Sequence, residues 1–461
     1  MPSSRAGLET WGCCHPCKLY SNVCQAYKLF LPFLPLRRYP YFFMRVRLLR
    51  LLASPWFIAS IAFLLRLLYL AYRAHLIPAE VLASAPFENE VGNIAAALAQ
   101  GDGFCCVFRQ PTGSTAWVAP LYPLIAAAIF KIFGVFTVTS FYAAAVFNSA
   151  VSALACVPVY AAARRISRPS AAVLAAWLWA IFPASIIIPY AWIWDTSLSA
   201  FLAALLLSLT LSLPDSVRLR DYALYGLIWA LALLTNPSLA ALLPFLVGWI
   251  LYRSSAQPML RFKLAAAALA VILLCCVPWT VRNYAQFHRL IPLRSNFAFE
   301  FWSGNNEIFD PNSRAVNRVT RYEQTHLYAA MGENAFFDDK WQKASHFVRS
   351  NPALYLQLCG RRIVSTWLGS ESPWQDFRQT DSFLVRSLLA WNALTFVAML
   401  VGLARLLRQH SPYLFPLASF PLIFPVAFYL AHTSLRHRHP CDPVVALLVA
   451  FAIVRPHPSP K

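Results

Sequence analysis

Residues 264–281 read LAAAALAVILLCCVPWTV, eighteen consecutive residues without a charge. At about 1.5 Å of rise per helical residue, such a run covers most of the roughly 30 Å hydrocarbon core of a bilayer. Arg261 and Lys263 flank it on one side and Arg282 on the other. Similar runs recur and predict spans near 55–74, 138–161, 170–189, 195–213, 222–236, 237–252, 263–281, 385–404, 412–431 and 441–456. The pair meeting at Asn236-Pro237 is short, and fits either two short spans or one broken helix buried in protein. Residues 117–134 are apolar but contain Pro120, Pro123 and Lys131, so they read as interfacial or re-entrant. The expected fold is an all-α polytopic membrane protein with about ten transmembrane helices, within about nine to twelve, and two non-cytoplasmic loop regions.

Composition agrees. Of 461 residues, 59% are apolar and 13% charged, against roughly 45–50% and about 25% in a soluble chain. With a mean hydropathy of +0.53, this excludes a cytosolic enzyme, a disordered chain and a coiled coil. The net charge of +20 would suggest nucleic acid on a soluble protein. On a membrane protein it reflects basic cytoplasmic loops, and no nucleic-acid partner is expected. With the N-terminus inside, Arg164, Arg165, Arg168, Arg218, Arg220, Arg253, Arg261, Lys263, Arg405, Arg408, Arg455 and Lys461 all fall on the cytoplasmic side, and both termini are cytoplasmic. Residues 75–137 and 282–384 then form two external loops. The first holds four acids against two bases, the second ten against twelve.

The expected organisation has four parts. Residues 1–43 form an N-terminal extension without periodicity, and Met44, followed by Arg45, Arg47 and Arg50, resembles an ordinary start of a bacterial membrane protein. Residues 44–281 form a membrane domain containing the first external loop, 282–384 an external helical cap, and 385–456 the C-terminal spans. The eleven cysteines form no disulfide framework. Cys13, Cys14, Cys17 and Cys24 cluster with His15, but their spacing fits no closed zinc pattern.

Three places carry candidate chemistry. The first is residues 87–104, where Ile94, Ala97 and Leu98 recur at helical spacing and Gly101 and Gly103 end the run. This predicts a short interfacial helix. Glu88 and Glu90 open it, either as carboxylates favouring the helix dipole or as a general base whose pKa is raised at the membrane surface. The second is Asp195, at the edge of a span among Trp192, Trp194 and Thr196; it reads equally as a helix cap or an active-site acid. The third is His432 and Arg436-His437-Arg438-His439-Pro440, cations on the external side against the positive-inside rule, with Arg282 at the external end of its span. Snorkelling to headgroups explains such cations, and so does a bound anion such as a lipid phosphate, which arginine grips through paired N–H groups. The second loop, helical from about 324 to 368 with a break at Asn351-Pro352, has no nucleophile elbow, HExxH or phosphate-cradling loop.

In order, these elements resemble the membrane-embedded glycosyltransferases of the C superfamily, in particular bacterial relatives of the dolichyl-phosphate-mannose–protein mannosyltransferases (family 39). The resemblance covers about residues 44–456. It runs from Glu90 through Gly101-Asp102-Gly103-Phe104, Thr115-Ala116-Trp117, Ala119-Pro120-Leu121-Tyr122-Pro123, Trp194-Asp195-Thr196 and Leu234-Thr235-Asn236-Pro237. It continues through Pro278-Trp279, Arg282-Asn283-Tyr284, Gly304-Asn305-Asn306 and Arg436 to Pro440. It implies sugar transfer, usually with inversion, from a polyprenyl-phosphate-linked donor on the non-cytoplasmic face of a bacterial inner membrane. The acceptor would be a lipid, glycan or protein. Glu90 would be the catalytic base with Glu88 as the alternative, and Arg282, Arg436 and Arg438 would meet the donor phosphate; the residues themselves add Asp195 to the catalytic candidates and His437 to the phosphate-binding ones. Two departures stand out. Asn89 separates the two glutamates where relatives carry adjacent acids, and Asn236 replaces a lysine. Some relatives use a divalent metal, which His326 or His346 would join here, but no spacing in this sequence requires one. The competing reading is a lipid or polysaccharide transporter, although only Arg66 lies well inside a span and no repeat is visible.

Overall fold

The structure is a computed structural model and describes residues 50–191, 193–307 and 316–454. Contacts divide the chain into two units, Met1–Ala53 and Ser54–Lys461, and the long apolar helices all belong to the second. The cysteine cluster at 13–24, Met44, Arg45, Arg47, Trp192, Arg314, Arg455 and Lys461 lie outside the described residues.

The described residues are helical, with one isolated bridge between Cys105 and Ser114. Six helices are long and apolar enough to cross a membrane: Pro55–His75, Val138–Ile166, Pro169–Ala191, Thr196–Asp215, Pro258–Phe287 and Phe383–Arg408. The chain is an all-α polytopic membrane protein. The other expected spans are shorter, and the reasons are local. The run around Asn236 splits into Leu219–Thr235 and Leu243–Arg253. Asn236 takes an extended conformation and caps the turn that comes next, its Oδ1 accepting from Ser238 N at 3.1 Å. Pro421 and Pro425 shorten the run at 414–430, and the last helix is Asp442–Ile453. Leu121–Phe133 has 13 residues, or about 20 Å of helix, too short to cross.

Arg66 sits inside the first span and is buried. It donates to Ser152 Oγ (3.0 Å), Ala62 O (2.7 Å), Ala180 O (3.2 Å) and Ser185 Oγ (2.7 Å). All its charge-bearing nitrogens are consumed within the helix bundle, which is what a guanidinium in a low-dielectric interior requires.

The first-loop helix is Glu90–Gln100. Asn89 caps it, accepting from Gly92 N at 2.9 Å, and Gly101 ends it at φ 97°. Gly92 is required by packing, since a Cβ there would lie 2.1 Å from Phe87 O. The cap contains Phe297–Gly304, Val316–Met331, Glu333–Ser350, Pro352–Leu368 and Pro373–Gln379. Its helices begin earlier than the expected 324, at Phe297 and Val316, and the Pro258–Phe287 helix runs past the expected end at 281, carrying Arg282 on its last turns. The break at Asn351 is present, and Gly332, at φ 75°, adds a second one. The cap is rooted on the first loop. Trp117 is buried with its ring centroid 5.0–5.6 Å from those of Phe108, Phe299, Tyr328 and Phe337.

Candidate active site

A cavity of about 380 Å³ opens where helices break. Trp194, Asp195 and Thr196 contribute from the junction before Thr196–Ser212, and Asn236 to Ser238 from the cap of the short turn. Arg294 and Glu300 come from the segment after the long helix, and His432, Arg436 and His437 from the last external loop. Breaks concentrate polar groups because helix termini leave backbone donors and acceptors unmade and admit charged side chains beside them.

Two carboxylates and two guanidiniums face this space. Arg294 donates to Ser238 Oγ at 3.0 Å. Asn296 Nδ2 donates to one oxygen of Glu300 at 2.9 Å, and His432 Nδ1 approaches the other at 3.2 Å. Arg436 differs from every other arginine of the loop. Its guanidinium lies over the Trp194 ring, 4.5 Å from the centroid, and makes no hydrogen bond among the described residues. A charged group with its donor fork free in a half-buried cavity is the signature of an anion site. His437 stacks on Phe428, centroids 4.8 Å apart, and its Nδ1 has no partner among the described residues. Burial and the neighbouring Arg436 push its imidazole well below the ordinary histidine range, so it is neutral.

Asp195 occupies the N-cap position of Thr196–Ser212, but its side chain makes no capping bond. Its carboxyl lines the cavity. Burial pushes its pKa from 3.8 up to about 6, against the opposing pull of Arg436 and Arg294. The linkage sign is then fixed: the ionised form is penalised in the folded state, so this cost is absent below the unfolded value near 3.8 and complete above about 6. The Asp195→Asn variant is expected to unfold at a higher temperature than the parent at pH 7.5, with the gap closing as pH falls to 4. Thermal unfolding in detergent checks this, and a lower unfolding temperature at pH 7.5 contradicts it.

The structure brings Asp195, Arg436 and His437 together and leaves the other expected residues outside the cavity lining. Glu88 pairs with Arg109 at 3.6 Å on the surface. Glu90 is the first residue of its helix, half-buried, and has no ion pair among the described residues. Phe87, Ala95 and Ala96 around it belong to the same apolar cluster as Ile193, two residues before Asp195. Arg282 is spent on backbone, donating to Thr115 O at 2.7 Å and Phe104 O at 2.9 Å. Arg438 is buried, bonded to Asp442 Oδ1 (2.9 Å), Thr366 O (3.2 Å), Trp367 O (2.9 Å) and Asn392 Oδ1 (3.2 Å). Both expected phosphate ligands thus donate to protein acceptors in this structure, Arg438 from a buried position and Arg282 from a half-buried one. Asp442 was the overlooked signal. It lies four residues after Arg438 and three after His439, whose Nδ1 is 2.9 Å from Asp442 Oδ2, so one acid draws both side chains inward. Arg294 and Glu300 carried no motif, whereas His432 opened the cation-rich loop already singled out in the sequence.

The fold and site define a polytopic membrane protein with a charged, anion-competent cavity at its helix breaks. Residues 117–281 match the family described as dolichyl-phosphate-mannose-protein mannosyltransferase. That segment supplies the Asp195 and Asn236 walls of the cavity. No curated protein matches. Among solved structures, the chain is similar to the oligosaccharyltransferase of Archaeoglobus fulgidus in complex with Zn and sulfate, at 15% identity and a TM-score of 0.49, covering 86% of this chain and 48% of that one. The same archaeon's enzyme in complex with an inhibitory peptide and a dolichol-phosphate gives 16% identity and a TM-score of 0.44, covering 80% and 46%. The chain spans about half the length of these structures. Among the described residues, no group of three or more His, Cys, Asp or Glu is placed to hold a metal ion.

Proposed function

We propose that the chain is a glycosyltransferase that moves a sugar from a polyprenyl-phosphate-linked donor to an acceptor on the non-cytoplasmic face. The observation that carries this reading is the unbonded guanidinium of Arg436, held in one cavity with Arg294 and Asp195. The family matched by residues 117–281 supports the donor class. In this reading the donor phosphate lies against Arg436 and Arg294. Glu90 accepts the proton of an acceptor hydroxyl or amine as that atom attacks the anomeric carbon. The bond from that carbon to the phosphate oxygen breaks, and the two guanidiniums stabilise the charge gathering on the departing phosphate. Attack opposite the leaving group inverts the anomeric centre. The neutral His437 contributes a polar wall without competing for protons.

In this reading Arg294, in place of Arg282 and Arg438, joins Arg436 at the phosphate, since the other two donate to protein acceptors. Charge supports the face: Arg164, Arg165, Arg218, Arg253, Arg261, Arg405 and Arg408 lie at the ends of the helices remote from the cavity loops. A transporter would require a mobile ionisable group at mid-membrane, and Arg66 is fully engaged. Purified protein given a labelled polyprenyl-phosphate sugar should release polyprenyl phosphate; none released with any acceptor class refutes the proposal. Replacing Arg436 with Ala is expected to weaken binding of polyprenyl phosphate by about ten- to a hundredfold, without lowering the unfolding temperature. Titration by tryptophan fluorescence, with Trp194 beneath the guanidinium, measures this.

A further inference from the structure

A second buried carboxylate, outside the cavity, is held by a dense set of donors. Glu333 opens the Glu333–Ser350 helix and is 6% exposed. It accepts four hydrogen bonds, two on each oxygen. Oε2 receives Thr115 Oγ1 (2.5 Å) and Tyr328 OH (2.6 Å), and Oε1 receives Ala116 N (2.9 Å) and Ser295 Oγ (2.7 Å). These donors come from three separate segments: the first external loop, the strap after the long helix, and the preceding cap helix. Ser295 N also donates to Ala116 O at 2.9 Å, closing the contact between loop and strap.

Each arm leads to the site. On one side, Ser295 is adjacent to Arg294, whose guanidinium lines the cavity and bonds Ser238. On the other, Thr115 N donates to Phe104 O at 3.1 Å, and Arg282 donates to Phe104 O and Thr115 O. The same loop runs through Val107, whose carbonyl accepts from Asn93 Nδ2 at 2.9 Å, on the helix that begins with Glu90. We propose that Glu333 is a positioning residue: it fixes the phosphate-side Arg294 relative to the first-loop helix that carries Glu90. The assignment of Glu333 to catalysis rests on the proposed function; its coupling of the two segments does not. A carboxylate suits the task because it is acceptor-only and meets two donors on each oxygen, which an amide cannot do.

Two mild substitutions weaken one arm each. Ser295→Ala removes the strap's side-chain contact and Thr115→Val one of the loop's two, Ala116 N still donating to Oε1, so each leaves three acceptor contacts of Glu333. Hydrogen exchange on the intact protein in detergent needs no ligand. Coupling predicts a cross-response: Ser295→Ala speeds exchange over 104–117 as well as its own segment, and Thr115→Val speeds it over 291–298. Exchange confined in each variant to its own segment overturns the proposal. For catalysis, Ser295→Ala is expected to raise the KM for the lipid-linked donor about tenfold with kcat within about twofold, and Ser295→Thr, which keeps the hydroxyl, to restore it. An unchanged KM, or a fall in kcat alone, refutes the positioning role. If the unsubstituted protein transfers no sugar, the proposed function fails, and the exchange pattern still decides whether Glu333 couples loop to strap.

Discussion

The Glu90→Gln variant is expected to lose sugar transfer by about 10²- to 10⁴-fold, the range a positioned general base contributes, while inserting and unfolding as the parent does. Its carboxylate begins the first-loop helix without an ion pair among the described residues, so no structural partner is left stranded. Glutamine keeps the volume and the cap geometry, because Asn89 and not Glu90 caps the helix. Glu88→Gln is expected to stay within about threefold, since its pairing with Arg109 at 3.6 Å is exposed and such pairs contribute little. Turnover of labelled donor in the two variants, with unfolding measured on the same samples, is decisive. Full activity in Glu90→Gln together with loss in Asp195→Asn would move the base to the cavity carboxylate.

Replacing Arg438 with Met is expected to be the most damaging single change in the last loop, at about 3–5 kcal/mol. Arg438 and Asp442 are 3% and 0% exposed. Removing the guanidinium leaves a carboxylate in the interior with only the His439 imidazole, itself stacked on Trp179 with centroids 5.4 Å apart. It also strips acceptors at Thr366, Trp367 and Asn392 of their donor, which unfastens the end of Pro352–Leu368 from the membrane helices. The double variant Arg438→Met, Asp442→Leu is expected to recover part of the loss, because no lone charge is then buried. Fluorescence-detected gel filtration of heated samples reads both effects. Equal stability of Arg438→Met and the parent would contradict the packing described, and would return Arg438 to the phosphate ligands. Arg436, two residues earlier, should behave in the opposite way, with binding lost and stability kept.

That contrast shows where sequence reading stops. The run of cations at 436–439 stands out in a nearly neutral external background, and its location on the non-cytoplasmic side is an inference from charge counts alone. Which cation faces ligand cannot be inferred that way, because about half a turn of helix separates an unbonded guanidinium from a buried one. Asp442 was visible in the sequence at the correct spacing to pair with Arg438 and His439, and would have separated the roles. Asp195 was visible too, but whether it capped a helix depended on a side-chain rotamer. Arg294, Glu300 and Glu333 were not legible, since each gains its role from a segment distant in the chain.

The sequence by itself determined the all-α membrane architecture, the short first-loop helix with its glutamate at the start, and the break at Asn236-Pro237. These depend on apolar run length, on glycine and proline backbone limits and on capping chemistry, all of which act within a few residues. The tertiary structure alone decided which arginines donate to protein acceptors, that Arg282 braces the loop, and that Glu333 gathers donors from loop and strap. A charge in a low-dielectric interior must be paired by whatever group the fold brings to it, and that group is set by three-dimensional proximity, not by distance along the chain.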